Sequence, residues 1–319
     1  MPATIDWERW IGRRFRLKDL HIFFTVAELG SMAKAARRIG MSQPAVSTVI
    51  ADLEHTLGVR LFDRGGRGVE LTTYGRTLLR RSNAAFDELK QGVMDIGFLA
   101  DPSSGELRLG CSQSIAAANL PPILHSFSER FPRVTLSVID VPPPILDPTA
   151  LQDRKCEVVL GRVEGSPDAS KFPKDVNAEP LYEDRLVAAA SRKSPWAHRR
   201  KIDLAELKDA KWILTSKNTF NHECVVEAFR SRGLALPTII MTAQSTPLRN
   251  YFLTHGDYIA TFASSVLRFN ADQFGLKELP VKLTDRKSFV GMITLKNRML
   301  SPVAERFIQH AREFTGSMR

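Results

Sequence analysis

The sequence predicts a protein in two parts, a small all-α unit followed by an α/β body. Across residues 17–58, apolar residues recur at spacings of three and four, which is typical of helices, and glycines separate the segments. From residue 106 onward, stretches with a period of two alternate with helical patterns, which is typical of an α/β fold. The length of 319 residues provides for two or three hydrophobic cores.

Three short helices are predicted in the N-terminal unit. The first covers residues 17–29. Ser31 is placed to cap a second helix that ends at Gly40, and Ser42 to cap a third that ends at Gly58. The apolar positions predicted to face inward are Leu20, Phe23, Phe24, Ala27, Met32, Ala35, Ala36, Ile39, Val46, either Val49 or Ile50, Leu53 and Leu57.

A hairpin and a long helix are predicted next. Residues 59–72 favour a short hairpin with a glycine-rich tip, and residues 73–99 favour one continuous helix. Along this helix a heptad-like seam recurs at Leu79, Ser82, Phe86, Leu89, Val93 and Ile96. Such a seam suits pairing with a second helix, and the alternative is packing on the helix's own domain. Residues 100–106 are expected to form a hinge, and residues 1–17 an N-terminal arm.

The remaining residues, 107–319, are predicted to form two α/β lobes with a cleft between them. Alternation of strands and helices implies parallel strands, and ligands in such sheets lie beyond the carboxyl ends of the strands, near helix N-termini. The predicted strands include residues 106–112, 133–140, 157–161 and 186–191, and the predicted helices are 114–130, 204–207, 221–232, 245–254 and 302–314.

The helix–turn–helix spacing of the first unit predicts a surface that binds DNA. In that geometry the last helix enters the major groove with its N-terminal residues against base edges. The residues expected to face out there are Ser42, Gln43, Pro44, Ser47 and Thr48, and the cations expected to meet phosphates are Lys34, Arg37, Arg38, Arg64 and Arg67. The net charge of +10 agrees with this, and nine basic residues stand against four acidic ones between Gly30 and Arg81. The alternative is an ordinary helical corner with a solvated basic face.

These residues closely resemble the N-terminal domain of LysR-type transcriptional regulators. The matching motifs are Ala35-Ala36, Ser42-Gln43-Pro44-Ala45-Val46-Ser47, Leu53-Glu54, Leu57-Gly58, Leu61-Phe62-Asp63-Arg64, Leu71-Thr72 and Gly75. The resemblance implies a winged helix-turn-helix over residues 18–72, a dimerising linker helix over 73–99 and a two-lobed effector domain like the periplasmic binding proteins. It also implies promoter DNA, a small-molecule effector and a second copy as partners, usually as a dimer of dimers, with RNA polymerase a further candidate. Thr48 stands where many relatives have arginine, which leaves the operator sequence open.

The resemblance also implies positions for an effector pocket. They are Cys111, Ser112 and Ser114 in the first lobe and Thr215, Ser216, Phe220 and Asn221 in the second. The sequence itself adds Ser245 and Thr246, which begin another helix expected to face the same cleft, and Arg162, which is expected to supply a cation at the hinge between the lobes. Each residue taken alone is more often a helix cap than a ligand contact. Hydroxyl groups at converging helix starts suit a sugar or a carboxylic acid, including an aromatic one.

Other functional classes lack their motifs. The sequence contains no phosphate-binding loop, no GxGxxG after a strand, no GxSxG elbow and no metal-ligand spacing, so we expect no enzyme, no cofactor and no metal. No apolar run is long enough to cross a bilayer and the N-terminus is too charged for a secretory signal, so we expect a cytoplasmic protein with no membrane partner. Three dispersed cysteines argue against disulfides. The alternative function is a DNA-binding repressor that responds to redox state or to no ligand.

Overall fold

The computed structural model describes residues 15–65, 68–141, 148–164 and 173–316. The chain divides into two compact units, with the boundary between Val93 and Met94. The predicted N-terminal arm before Phe15 and the tip residue Arg67 lie outside the described residues, and nothing is described of the Arg64 side chain.

The first unit is a three-helix cluster with a hairpin. It contains helices α1 (Leu17–Leu29), α2 (Met32–Ile39) and α3 (Gln43–Leu57), followed by strands β1 (Phe62–Gly65) and β2 (Gly68–Leu71), which pair antiparallel. The predicted caps are confirmed, because Ser31 and Ser42 are the N-caps of α2 and α3, and Gly40 and Gly58 end these helices in the left-handed conformation that favours glycine.

The core of this unit settles the question of which α3 residue faces inward. Ile50 is buried and Val49 is only half-buried, so Ile50 occupies the core position. The buried residues around it are Ile22, Phe23, Val26, Ala35, Ala36, Val46, Leu53, Leu61 and Phe62. The rings of Phe23 and Phe62 lie 5.3 Å apart and attach the hairpin to the helices.

Helix α4 (Thr73–Ala100) is continuous, one residue longer than predicted. The N-terminal part of its seam packs on the first unit: Leu79 joins the core, and the Phe86 ring lies 6.2 Å from that of His21. The C-terminal part of the seam is exposed, with Leu89, Val93 and Ile96 at 51%, 70% and 69%. Packing of the helix on its own domain therefore explains the first three seam residues, and it does not explain the last three, which are exposed.

The second unit contains two lobes, each built on a five-stranded sheet. Lobe 1 contains β3 (Ser104–Cys111), α5 (Gln113–Ala116), α6 (Leu120–Arg130), β4 (Arg133–Asp140), α7 (Thr149–Gln152), β5 (Val158–Glu164) and β6 (Val176–Glu183). Lobe 2 contains β7 (Leu186–Ser191), two 3₁₀ turns (Pro195–His198 and Leu204–Leu207), β8 (Lys211–Leu214), α8 (Phe220–Arg230), β9 (Thr238–Thr242), α9 (Thr246–His255), β10 (Tyr258–Ala263), α10 (Ser264–Phe274) and β11 (Leu276–Glu278). The chain then returns to lobe 1 through β12 (Ser288–Leu295) and α11 (Pro302–Gly316).

The two sheets are mixed, which corrects the expectation of parallel order. Lobe 1 has the order β4-β3-β5-β12-β6, and lobe 2 has β11-β7-β10-β8-β9. The three strands at one side of each sheet are parallel, whereas β12 and β6, like β7 and β11, pair antiparallel. The chain passes from lobe 1 to lobe 2 between β6 and β7 and returns between β11 and β12, so β7 and β12 enter their sheets without a helical crossover and pair antiparallel with their neighbours.

Three further predictions differ from the structure. The predicted helix over residues 114–130 is two helices, because Pro121 and Pro122 lack N–H groups and suit only the first turn of a new helix. Residues 204–207 form a 3₁₀ turn capped by Asp203. Strand β3 begins at Ser104, inside the predicted hinge, since Ser104 already pairs with Arg133 of β4.

Candidate DNA interface and effector site

The start of α3 presents polar side chains to solvent. Gln43, Pro44 and Thr48 are exposed, and Ser47 is half-buried. Val46, Ile50 and Leu53 on the opposite side of the helix are buried in the core, so the packing of one face fixes the direction of the other.

Two predicted hydroxyl contacts already have partners within α3. The Oγ of Ser42 accepts a hydrogen bond from the N–H of Ala45 at 3.3 Å, and the Oγ1 of Thr48 donates to the Pro44 carbonyl at 3.1 Å. These bonds order the first turn of the helix. They leave Gln43 as the exposed amide best suited to base reading there.

Helix α2, which directly precedes α3 in the chain, carries three exposed cations. Lys34, Arg37 and Arg38 are all exposed, while Ala35 and Ala36 between them are buried. The helix therefore directs its cations outward and its small residues into the core. This arrangement suits contact with phosphates.

The hairpin is held against the helices by contacts that the sequence analysis missed. The Oε1 of Glu54 accepts from the N–H groups of Leu61 at 2.7 Å and Phe62 at 3.1 Å, and the N–H of Val69 donates to the Gly30 carbonyl at 3.1 Å. A Cβ on Gly68 would lie 2.5 Å from that carbonyl oxygen, so only glycine permits this approach. Glu54 is part of the Leu53-Glu54 motif, and its position directly after a core residue was the one sequence feature that could have indicated this structural role.

In lobe 1, the predicted effector residues follow strand β3. Cys111 is 2% exposed and its side chain belongs to the core. Ser112 is buried and Ser114 half-buried, and their Oγ atoms lie 3.0 Å apart at the start of α5. The structure thus brings the two serines together and places the Cys111 side chain inside the lobe.

In lobe 2, the predicted residues are at the starts of α8 and α9. Thr215 is buried, and its Oγ1 lies 2.7 Å from the Oγ1 of Thr219, while Ser216 is exposed and Asn221 half-buried. The Nδ1 of His222 lies 3.1 Å from the Thr215 carbonyl oxygen.

At the start of α9, both predicted residues contact their own helix. The Oγ of Ser245 accepts from the N–H of Leu248 at 3.4 Å, which makes Ser245 the N-cap. Thr246, the first residue of the helix, is 3% exposed.

The chain crosses between the lobes twice, from β6 to β7 and from β11 to β12, and these crossings form the hinge between the lobes. Asp184 lies in the first crossing, and Ser288, at the end of the second, hydrogen-bonds to it. This carboxylate, 2% exposed, accepts from Arg162 Nη2 at 3.1 Å, from Ser264 Oγ at 2.9 Å and from the N–H and Oγ of Ser265 at 3.1 and 2.6 Å. The Oγ of Ser288 donates to the Asp184 carbonyl and accepts from Arg162 Nη1 at 2.8 Å. Asp184 was not predicted, and its partners are distant in sequence.

Arg162 lies at the hinge as expected, but Asp184 balances its charge. The Arg162 side chain is 10% exposed, and its guanidinium lies 6.0 Å from the ring centre of Phe220 in lobe 2. The structure therefore brings Arg162 and Phe220 together, and the ion pair accounts for the arginine's charge without a ligand.

A second arginine, which the sequence analysis missed, lies at the start of α9. Arg249 is 3% exposed, and its Nη1 donates to the Thr261 carbonyl at 2.6 Å, while its Nη2 donates to Thr246 Oγ1 at 3.4 Å. Its guanidinium lies 4.7 Å from the ring centre of Phe262. Burial lowers the pKa of Arg249 to about 10.

Two family models match the chain over these two units. The model described as bacterial regulatory helix-turn-helix protein, lysR family, matches residues 17–76, and the LysR substrate binding domain matches residues 100–316. The chain belongs to the LysR family of bacterial transcriptional regulators. Membership makes the protein a DNA-binding transcriptional regulator with a domain for small-molecule ligands, and accounts for the helical unit and the two-lobed body together.

Relatives and solved structures of this family cover almost the whole chain. The transcriptional regulator TdcA of Escherichia coli (strain K12) is 25% identical over 301 residues, which are 94% of this chain and 93% of TdcA. The regulator GbpR of Azospirillum brasilense is 26% identical over 304 residues, 95% of this chain and 87% of GbpR. The crystal structure of full-length CbnR in complex with its target DNA has a TM-score of 0.66 at 22% identity and covers 94% of this chain and 99% of CbnR.

The cysteines of this LysR-family protein are buried. Cys111, Cys156 and Cys224 form no disulfide among the described residues and are exposed by 2% or less, and burial raises the pKa of Cys111 and of Cys156 to about 11. Reactive thiols are exposed and have a low pKa, so this environment does not favour the alternative of redox control. In the described part of the chain, no helix combines the length and apolar character that a membrane span requires.

Proposed function

We propose that this LysR-family regulator reads its operator with the start of α3. Gln43 pairs with a base edge, and Pro44, Ser47 and the Thr48 methyl group contact neighbouring bases, while the Ser42 hydroxyl orders the turn. Lys34, Arg37 and Arg38 on α2, with Arg64 and Arg67 of the hairpin, neutralise phosphates. The observation that supports this most directly is the exposed Gln43 amide on a helix whose opposite face is fixed in the core.

Substitutions on the two helices separate base reading from phosphate binding. Gln43→Ala should weaken binding to the operator by about 1–3 kcal/mol and leave binding to random DNA unchanged. Lys34→Ala should weaken both and reduce the slope of log K against log salt by about one. Both titrations are done by fluorescence anisotropy at several salt concentrations. Equal losses on operator and random DNA for Gln43→Ala would refute the base-reading role.

The proposed effector is a sugar or a carboxylic acid, including an aromatic one, bound between the lobes. In this proposal the starts of α5, α8 and α9 supply the polar groups that bind the effector. They are the hydroxyl groups of Ser112, Ser114, Thr215, Ser216, Ser245 and Thr246 and the amide of Asn221. Cys111 contributes its main chain. Phe220 supplies an apolar wall, and Arg162 stabilises the hinge beside it. To find the effector, the melting temperature of the purified protein is measured with compounds that the enzymes encoded by neighbouring genes use or make. A compound that binds the folded protein raises the melting temperature by mass action.

We propose a homotetramer, a dimer of dimers, as the state that binds DNA. The exposed residues Leu89, Val93 and Ile96 on one stripe of α4 support pairing with the same helix of a second copy. Effector binding that closes the lobes changes the angle between dimers and hence the DNA bend, and RNA polymerase is a candidate partner at the promoter. An effector that changes neither the footprint nor the bend would refute this mechanism.

A further inference from the structure

The described residues around Arg249 do not supply a counter-ion. Among the described residues no carboxylate lies within ion-pair distance of its guanidinium, and desolvation is the whole cause of its lowered pKa. Its contacts are the Thr261 carbonyl, the Thr246 hydroxyl and the face of Phe262. The hinge arginine, Arg162, shows the usual solution, with the Asp184 carboxylate 3.1 Å away.

The hydrogen bonding of Arg249 is also incomplete. Its Nε is buried and has no partner among the described residues, and the bond that its Nη2 donates to Thr246 Oγ1, at 3.4 Å, is at the limit of hydrogen-bond length. A buried cation whose donors lack acceptors is costly, and a carboxylate that accepts from two of its N–H groups is the partner that removes this cost most fully.

The position of the guanidinium leads to the same class of partner. Nη2 contacts Thr246, the first residue of α9, and a helix N-terminus attracts negative charge through its dipole. Ser245 is half-buried and Pro247 is exposed, so solvent reaches the start of this helix. A carboxylate that displaces the weak Thr246 contact meets both the arginine and the helix terminus.

We propose that Arg249 binds the carboxylate of the effector, which makes the effector an acid and not a neutral sugar. The proposal rests on the effector role of the two-lobed body given above. It adds a residue that the sequence analysis did not place in the pocket, and it decides between the two ligand classes left open there.

The test uses pairs of probes that share a carbon skeleton and differ in charge: acetate and acetamide, gluconate and glucose, benzoate and benzamide. The melting temperature of the full-length protein is measured with each probe at tens of millimolar, at constant ionic strength set with chloride. Wild type is compared with Arg249→Met and Arg249→Lys. Arg232→Met is the matched control, because exposed Arg232 also donates to main-chain carbonyls in lobe 2, those of Ala228 and Lys282.

We expect at least one carboxylate to raise the melting temperature of wild type and of Arg232→Met above the rise given by its neutral counterpart. Arg249→Met should weaken that binding by at least about tenfold, and Arg249→Lys should weaken it less, because lysine keeps the charge and loses the paired N–H groups. If Arg249→Met does not fold, the acid response of Arg249→Lys is compared with that of Arg232→Met, and a weaker response in Arg249→Lys supports the proposal.

Three results would overturn the proposal. They are a neutral probe that stabilises wild type as much as its acid, an acid response that survives unchanged in the Arg249 variants, and the absence of any response to all three acids. A DNA footprint of each variant without probe separates this question from the regulator function. If the wild-type footprint is present and the acid response is absent, only the Arg249 proposal fails.

Discussion

Replacing Asp184 by asparagine should destabilise the two-lobed body strongly. The amide has the shape of the carboxylate but no charge, and it puts an N–H group where the carboxylate accepts hydrogen bonds. The carboxylate has four donors, Arg162 Nη2, Ser264 Oγ, and the N–H and Oγ of Ser265, all within 3.1 Å. Arg162, at 10% exposure, would remain as a buried cation without its partner.

The size of the loss follows from burial. Removing one partner of a buried ion pair costs about 3–5 kcal/mol, and 1 kcal/mol corresponds to roughly 2–4 °C in a domain of this size, so the melting temperature of the body should fall by about 6–20 °C. Glu278→Gln is the matched control. Glu278 pairs with Arg185 at 2.7 Å, but the side chains are 38% and 68% exposed, and such pairs contribute about 0–1 kcal/mol.

Calorimetry of the full chain measures the loss of stability in both variants. Because the chain divides into two compact units, we expect the first unit to give its own transition, and an unchanged transition there would show that the variant is otherwise intact. Adding Arg162→Met to Asp184→Asn should recover part of the loss, since the unpaired cation is then removed. A loss for Asp184→Asn no larger than that for Glu278→Gln would refute the assignment of Asp184 as the centre of the hinge.

Two further predictions concern α4. Gly75→Ala should destabilise the first unit by about 1–3 kcal/mol, because the new Cβ would lie 2.1 Å from the Leu61 carbonyl oxygen, whereas Gly92→Ala in the same helix meets nothing within 4 Å and should stabilise by about 0.5–1 kcal/mol. Urea unfolding of both variants decides, and equal effects would contradict the close approach. Val93→Glu places a charge on the exposed stripe and should reduce the mass in sedimentation velocity without changing the circular dichroism spectrum. An unchanged mass would show that this stripe is not the interface.

The first unit was largely predictable because its signals are local. Ser31 and Ser42 cap helices that begin at the next residue, and Gly40 and Gly58 end them, so each boundary is encoded within a few residues. Choosing between Val49 and Ile50 needed the structure, because both positions lie within the spread of a helical face.

The second unit was less predictable because its defining contacts are long-range. Helix α10 was missed, since it begins at Ser264 directly after β10 ends at Ala263 and no glycine or proline marks the change. The partners of Asp184 are 22 to 104 residues away in sequence. The burial of Arg249 depends on its packing against β10, and its own segment has the composition of an ordinary amphipathic helix.

The most direct test of the account is a footprint of the purified protein on the DNA upstream of its own gene and of its neighbours, at a stated and near-physiological salt concentration. We predict two protected half-sites, whose protection requires roughly 5- to 150-fold more protein when Gln43 is replaced by alanine, as a loss of about 1–3 kcal/mol implies. A folded protein that protects no segment there, and that enriches no sequence over random DNA in a genome-wide selection, would contradict sequence-specific reading by the start of α3.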